Sequence, residues 1–365
     1  MLLTMSVYML HMQMADWSKA VIGSSGTDVA LLMGAYGIGL FALGPFISYW
    51  VQRYRRNEAC IQAIILMLLV VGAIFLCQHR LLEWNVQPWV FGALRFMLGA
   101  SFGLAQMVLC STLIIDTCES FQRTEANHSA AWFGRFALSL GPVLAWVLMP
   151  QVDNKMFFLV VGGLIVASIL LIRMVSFPFK APEDNFHRFS LDRFFLPEGW
   201  LLFLNLAMIT SIVGMVFAVE RQPMFYGMMM GGFLLALLAE RFAFANADLK
   251  SETLTGLIAM AAALLVHHAG RSMVAGLVPP VLIGFGIGII GSRFLLFFIK
   301  LSRHCQRGTS QSTFFLGWEL GISIGFSLGL CCHEQVFALS LTLTVASLLL
   351  YNFVTHPWYM KHRNR

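Results

Sequence analysis

Runs of roughly twenty residues with few or no charges follow one another along this chain, and that length is what carries a helix across a hydrocarbon core of about 30 Å. The stretch AIILMLLVVGAIFL, Ala63 to Leu76, is typical. Backbone donors and acceptors find no water in lipid, so a spanning segment is either a helix or a strand of a closed barrel. These runs are continuous rather than alternating, which excludes the barrel. Composition agrees, with 58% hydrophobic and 12% charged residues, against about a quarter charged in a soluble domain.

About twelve spans are expected, at approximately 1–18, 28–50, 57–78, 88–115, 128–149, 156–176, 199–218, 224–242, 252–268, 274–299, 311–332 and 336–355. The first is the most polar, with His11, Gln13 and Asp16, and lacks the basic flank and small-residue cleavage site of a signal peptide. Of the 24 lysines and arginines, Arg95, Arg135 and Arg293 fall inside spans, and Lys19, Arg80, Lys155, Arg221 and Arg271 lie on one side. All the others lie on the opposite side, together with both chain ends. The positive-inside rule makes that richer side cytoplasmic, in a multi-pass protein of a cell's inner (cytoplasmic) membrane. The Arg53, Arg55, Arg56 cluster then anchors the second turn against anionic lipid headgroups. Topology accounts for the net charge of +6 without a nucleic-acid partner. The seven cysteines show no C-x-x-C spacing, so neither a disulfide framework nor a zinc site is indicated, and no cofactor is expected.

Between Ser176 and Gly199 the text becomes SFPFKAPEDNFHRFSLDRFFLPEG, rich in proline and mixed charge. It reads as a cytoplasmic linker, 177–198, between an N-terminal bundle, 1–176, and a C-terminal bundle, 199–365, of six helices each. Internal matches support a repeat. LGASFG (Leu98 to Gly103) aligns with IGFGIG (Ile283 to Gly288) at an offset of 185, VQRY (Val51 to Tyr54) with AERF (Ala239 to Phe242) at 188, and Gly134 with Gly317 at 183. The fold class is therefore all-α integral membrane, two pseudo-symmetric six-helix bundles.

Three stretches carry a family resemblance. SYWVQRYRR, Ser48 to Arg56, resembles the G-x-x-x-D-R-x-G-R-R loop between the second and third helices of the major facilitator superfamily. Ser48 stands for the first glycine, Gln52 for the aspartate and Arg55 for the second glycine. RFMLGASFGLA, Arg95 to Ala105, resembles the family's fourth-helix R-x-x-x-G-x-x-x-G pattern, and GRFALSLGP, Gly134 to Pro142, is similar to the G-P motif of its antiporters, without the full glycine pattern. The resemblance implies a gate of Gln52, Arg53, Arg55 and Arg56, with Glu240 and Arg241 at the matching turn of the second half. In the family the loop aspartate sits near the start of the eleventh helix and helps lock the cytoplasmic side. Glutamine keeps the hydrogen bonding and loses the charge, which predicts a weaker latch.

Charges inside spans give the candidate site. A charged side chain at mid-helix costs at least about 2.5 kcal/mol on insertion scales, so Arg95, Arg135, Arg293 and Glu319 are expected to face the bundle interior. Gly92, Arg95, Gly99, Gly103, Gln106 and Cys110 recur at spacings of three and four and form one inward stripe. Gly317, Gly321, Gly325 and Gly329 form a packing ridge, and Glu319, Ser323 and Ser327 a polar stripe about 200° away that reads as lining a wet cavity. Arg135 and Glu319 fall at similar depths, each roughly 12 Å from the cytoplasmic start of its helix. They suit either a proton-coupled switch or a static buried ion pair. His11, Gln13 and Asn205 are further candidates for solute contact, with bonding to a neighbouring helix the plainer role for Asn205.

These residues predict a secondary transporter moving a small organic solute, drug-like or sugar-like, with protons as the coupling ion, by efflux as the resemblance suggests. A proton-coupled nutrient importer is the alternative, and a membrane enzyme or lipid-handling protein a remote one. The catalytic signature H-E-x-x-H and the Walker lysine motif do not occur, so an enzyme is not expected. A monomer in the bilayer suffices for this reading.

Overall fold

The computed structural model describes residues 1–22, 26–54, 56–78, 87–119, 122–175, 177, 187–244, 247–269 and 273–363. Within them the chain is a set of long helices: α1 (Leu2–Ile22), α2 (Thr27–Arg53), α3 (Asn57–Gln78), α4 (Pro88–Leu113), α5 (Arg123–Leu148), α6 (Asn154–Met174), α7 (Pro197–Val219), α8 (Pro223–Phe242), α9 (Leu249–Ala269), α10 (Gly276–Leu301), α11 (Arg307–Cys331) and α12 (His333–His362). All but α1 are long and apolar enough to cross a membrane. Proline opens α4 and α8, where its missing N–H has no partner to lose. Inside the spans, Pro142 interrupts α5 and Pro279–Pro280 interrupt α10, where packed neighbouring helices and local adjustments of the backbone let membrane helices tolerate the lost bonds. A π-helical turn, Leu109–Leu113, ends α4.

The main packing relations in the first six helices recur six helices later. α2 lies on α4 as α8 lies on α10, and α3 lies on α4 and α6 as α9 lies on α10 and α12. Likewise α1 lies on α5 and α6 as α7 lies on α11 and α12. This is the internal symmetry of two six-helix bundles. The 185-residue offset has a structural meaning: a methyl group added at Gly99 would strike the Tyr36 carbonyl, and one added at Gly284 would strike the Met229 carbonyl. Both glycines let a fourth helix of its bundle approach a second helix backbone to backbone. Gly134 and Gly317 do not share a role, since Gly134 faces open space and Gly317 the side chains of Phe203 and Leu206.

Two seams join the bundles, α2 against α11 and α5 against α8, themselves related by the same six-helix shift. The glycine ridge of α11 packs on α7, where Gly321 meets the Ala207 carbonyl and Gly325 the Ser211 carbonyl. The opposite stripe of α11 turns to the other bundle. Ser323 and Ser327 press against Gly37 and Gly34 of α2 and are therefore part of that seam rather than of a cavity wall.

The segment from His187 to Gly199 is more than a tether. Ser190 N–H donates to the Pro45 carbonyl (3.0 Å), Arg193 N–H to Thr309 Oγ1 (2.8 Å) and Leu196 N–H to Thr313 Oγ1 (2.8 Å). The Phe194 ring fills the space above Gly44 and meets Phe41 edge-on. Residues 178–186 of the expected linker lie outside the described residues.

Candidate functional site

Three of the four charges expected inside spans are almost fully buried: Arg95 is 1% exposed, Arg135 2% and Glu319 3%. Their partners differ from the sequence-based expectation. Glu319, on α11, accepts a hydrogen bond on each carboxylate oxygen, from Tyr8 of α1 (2.9 Å) and from Tyr36 of α2 (3.2 Å). A carboxylate of one bundle is thus held by two hydroxyls of the other. Tyr36 also joins it to Arg95, whose guanidinium carbon lies 5.1 Å from the Tyr36 ring centroid.

Arg95, on α4, reaches the Met33 carbonyl (3.4 Å), the Met14 sulfur (3.8 Å) and His11 Nε2 (3.4 Å). His11 Nδ1 lies 2.7 Å from the Val7 carbonyl. A carbonyl only accepts, so Nδ1 carries the proton and Nε2 presents its lone pair to Arg95, which only donates. The His11 ring stands edge-on to Tyr36 at 4.6 Å. Arg95, His11, Tyr36, Glu319 and Tyr8 therefore form one continuous polar core drawn from four helices.

Arg135 and Glu319 line the same cavity, of about 90 Å³, but no ion pair joins them among the described residues. Arg135 Nη1 donates to Ser292 Oγ on α10 (2.7 Å), and the guanidinium lies over the Trp132 ring at 4.4 Å. The remaining wall includes Thr4, Gln106, Asn127 and Gln311 on the polar side and Leu295, Phe314, Phe315 and Trp318 on the apolar side. Gln106 donates to Thr4 Oγ1 (3.1 Å). The α4 stripe therefore divides its work: Gly99 and Gly103 pack on α2, while Gln106 and Cys110 line the cavity.

Other expected contacts lie elsewhere. Gln13 sits in a closed amide triad with Gln78 and Asn154, linking α1, α3 and α6 (2.8–3.0 Å). Arg293 does not reach the cavity and pairs with Glu252 of α9 at 2.5 Å. Asn205 donates to the Ser347 carbonyl of α12 (3.2 Å), the plainer of its two roles. Ser323 belongs to the α2–α11 seam described above.

A second, larger pocket of about 230 Å³ lies nearer the face that carries both chain ends, here called the basic face. Its wall includes Ser111, Arg123, Asn127, Asp192, Arg193 and Arg307, and Asn127 lines both pockets. Beside it the linker forms a clamp: Asp192 accepts from Ser48 of α2 on its carbonyl (3.1 Å) and Oδ2 (3.2 Å), and from Thr309 of α11 on Oδ1 (3.2 Å). Asp192 thus brings a carboxylate to the α2–α11 seam. Arg193 takes φ 60°, the left-handed region uncommon for a residue with a Cβ, and its N–H bond to Thr309 holds it there.

Of the expected gate residues, Arg53 is exposed and donates to Tyr49 Oη (2.6 Å), and Arg241 is exposed beside Phe242. Glu240 reaches across the α5–α8 seam to His128 at 3.6 Å. Gln52 is half-buried on α2, one turn beyond Ser48. Arg55 lies outside the described residues, as does the Arg56 side chain. On the opposite face, Asp16 of α1 pairs with Arg221 of the α7–α8 turn (2.9 Å), Ser139 donates to the Tyr226 carbonyl, and Tyr226 Oη lies 3.9 Å from the Met12 sulfur. That face is closed, and both cavities lie toward the basic face.

Sequence reasoning missed Tyr8, Tyr36, Asn127, Gln311 and Asp192. Tyr8 and Tyr36 offered a signal, each being a hydroxyl inside an apolar span and needing a buried partner. Asp192 offered none, because a charged linker residue is ordinary.

Comparison with known proteins places this geometry. No curated protein matches the sequence. The structure is similar to a bacterial homologue of the iron transporter ferroportin in its outward-facing state (TM-score 0.64, 16% identity, 98% of each chain). It is also similar to the human organic anion transporter TETRAN (TM-score 0.65, 14% identity, 96% of each chain). A third likeness is to the E. coli fucose:proton symporter (TM-score 0.61, 11% identity, 100% of this chain and 96% of the other). At such identities these likenesses speak for the fold alone. The sequence model of the Major Facilitator Superfamily matches residues 1–326. The two bundles, their paired seams and the central cavity are thus the architecture of a multi-pass membrane transporter, and the chain belongs to the Major Facilitator Superfamily.

Proposed function

We propose that the protein is a secondary active transporter that moves a small organic solute by proton-coupled efflux, as an efflux-type bacterial antiporter does. In this reading the N-terminal bundle (1–176) and the C-terminal bundle (199–365), joined by the linker 177–198, rock about the cavity as a monomer. The basic face is cytoplasmic, by the excess of lysine and arginine there, and the membrane is the inner one. The conformation described, closed by Asp16–Arg221 on one face and hollow toward the other, is one half of an alternating cycle.

The observation that carries the proton role is the grip of Tyr8 and Tyr36 on Glu319. An ionised carboxylate accepts both hydroxyl bonds, whereas a protonated one has a donor where an acceptor stood. Proton uptake therefore weakens a contact between bundles, and opening of the seam favours the proton. The other titratable groups around it are His11, Arg95 and Arg135. The test follows Cys110, which lines the cavity, with a membrane-impermeant maleimide from each side as pH is varied. Wild-type labelling changes with pH, and Glu319→Gln abolishes that change while His11→Gln keeps it. An unaltered pH profile in Glu319→Gln refutes the assignment.

Proton-driven import is the second reading, favoured by the likeness to the fucose:proton symporter. Right-side-out and inverted vesicles under the same pH gradient separate it from efflux by the sign of the flux.

A further inference from the structure

We propose that the pocket beside the linker binds a phosphate monoester, and that the bound anion holds the two bundles in the arrangement described. The second half of this statement rests on the transporter reading; the first does not. The pocket, of about 230 Å³, takes its wall from three parts of the chain. Arg123 and Thr124 open α5 in the N-terminal bundle, beside Ser111 and Thr112 of the π-helical turn that ends α4. Arg307, Gly308 and Thr309 open α11 in the C-terminal bundle, and Asp192 and Arg193 come from the linker. The helix ends meet closely, since a methyl group added at Gly308 would strike the Ser111 carbonyl.

Three arginines and one acid stand in this wall, a surplus of two positive charges. The acid is committed: Asp192 accepts from Thr309 on Oδ1 and from Ser48 on Oδ2, and Oδ2 lies 3.5 Å from Arg193 Nε. Arg123 and Arg307 are half-buried, and neither has an ion-pair partner among the described residues. Arg123 gives its Nε to the Cys118 carbonyl (3.4 Å), a neutral acceptor. Both α5 and α11 begin without a side-chain cap, so the positive ends of two long helices add to the same wall. Like charges lining a recess focus the field and concentrate an oppositely charged ligand.

The wall also sets the shape of that ligand. Apart from Ile115, Ile299 and Cys305 it is polar or glycine, so it receives a charged group rather than an acyl chain or an aromatic body. The arginines come from separate elements and approach from different sides. A planar carboxylate suits one such fork, whereas the tetrahedral oxygens of a phosphate monoester serve several donors at once, and its two negative charges match the surplus. Such an anion joins Arg123 of one bundle, Arg307 of the other and Arg193 between them, next to the Asp192 clamp. Rocking of the bundles changes the spacing of these residues, so the anion favours the one arrangement that gathers them.

The test is thermal stabilisation of the detergent-purified full chain, at fixed ionic strength, by inorganic phosphate, glycerol 3-phosphate and dihexanoyl phosphatidic acid, with succinate as a dianion of another shape. A saturable shift is expected from the phosphate group and none from succinate. A shift with glycerol 3-phosphate alone assigns a soluble ester and one with phosphatidic acid alone a lipid headgroup; either supports the site. Arg123→Gln and Arg307→Gln should each weaken binding about tenfold, the loss of one charge-assisted contact, while Arg173→Gln, exposed at the end of α6, leaves it unchanged. Should the pocket variants fail to purify as single species, Thr124→Asp sets a competing carboxylate at an exposed first-turn position that suits an acid, and should abolish the shift. In sealed phosphatidylcholine vesicles, glycerol 3-phosphate on the basic side at about ten times its apparent Kd, or phosphatidic acid in the bilayer, should slow labelling of Cys110 from the opposite side about tenfold. No shift with any phosphate compound, an equal shift with succinate, or full affinity in the Arg123, Arg307 and Thr124 variants overturns the site. Binding with unchanged labelling overturns the hold on the bundles, and Cys110 that never alternates in the ligand-free protein removes the transporter reading instead.

Discussion

Asp192→Ala tests the clamp at the basic face. The substitution removes the carboxylate that accepts from Ser48 Oγ and Thr309 Oγ1, and leaves the backbone carbonyl that Ser48 also reaches. Each lost bond joins an ionised group to a hydroxyl, but the side chain is 50% exposed, so each is worth nearer 0.5–1 kcal/mol than the upper range for charged hydrogen bonds. Together they amount to about 1–2 kcal/mol on the equilibrium between closed and open at that face, a factor of roughly 5–30. Cys110 of the neighbouring cavity is the reporter. With the other six cysteines replaced, its labelling by an impermeant maleimide from the basic side should accelerate by that factor in Asp192→Ala and by less in Asp192→Asn, which keeps a hydrogen-bonding group. Gln52→Asp, by contrast, should change the rate little while Asp192 is present. A labelling rate in Asp192→Ala within twofold of the parent would mean that the linker merely rests on the seam.

Tyr8→Phe and Tyr36→Phe each remove one donor to Glu319, and each should cost about 1–3 kcal/mol of the grip on a buried carboxylate; the measurement is the pH at which Cys110 accessibility changes, which should move in the same direction in both. Arg221→Ala opens the opposite face by no more than about fivefold, because both partners of the Asp16 pair are partly exposed and screened; the exchange Asp16→Arg with Arg221→Asp should restore closure, and failure to do so would sink the pairing. Gly99→Val and Gly284→Val should prove equally damaging, since each drives a side chain into a backbone carbonyl of the paired helix; size-exclusion profiles of the two variants test the equivalence.

Much of the architecture is a local property of the chain. The spans follow from uninterrupted apolarity over the thickness of a bilayer, and α1 is found despite His11, Gln13 and Asp16, because those groups bond to neighbouring helices rather than to lipid. The burial of Arg95, Arg135 and Glu319 follows from the same cost that kept them from the lipid face. The glycine ridge of α11 read correctly as a packing surface, because a close approach between helices requires small residues wherever the partner is. Of the stripe expected on a cavity wall, Glu319 lines the cavity while Ser323 and Ser327 face Gly37 and Gly34 at the seam.

What the chain alone determined, then, is that it crosses a membrane many times, that its two halves repeat, and which helix faces turn away from lipid, since each depends on residues a few positions apart. Only the tertiary structure decided who meets whom. Tyr8 and Glu319 are 311 positions apart, and Ser48 and Asp192 are 144; no spacing rule reaches so far. Such choices rest on the angle at which two bundles lean together, and that angle is set by the sum of many weak packing contacts rather than by any one residue's chemistry.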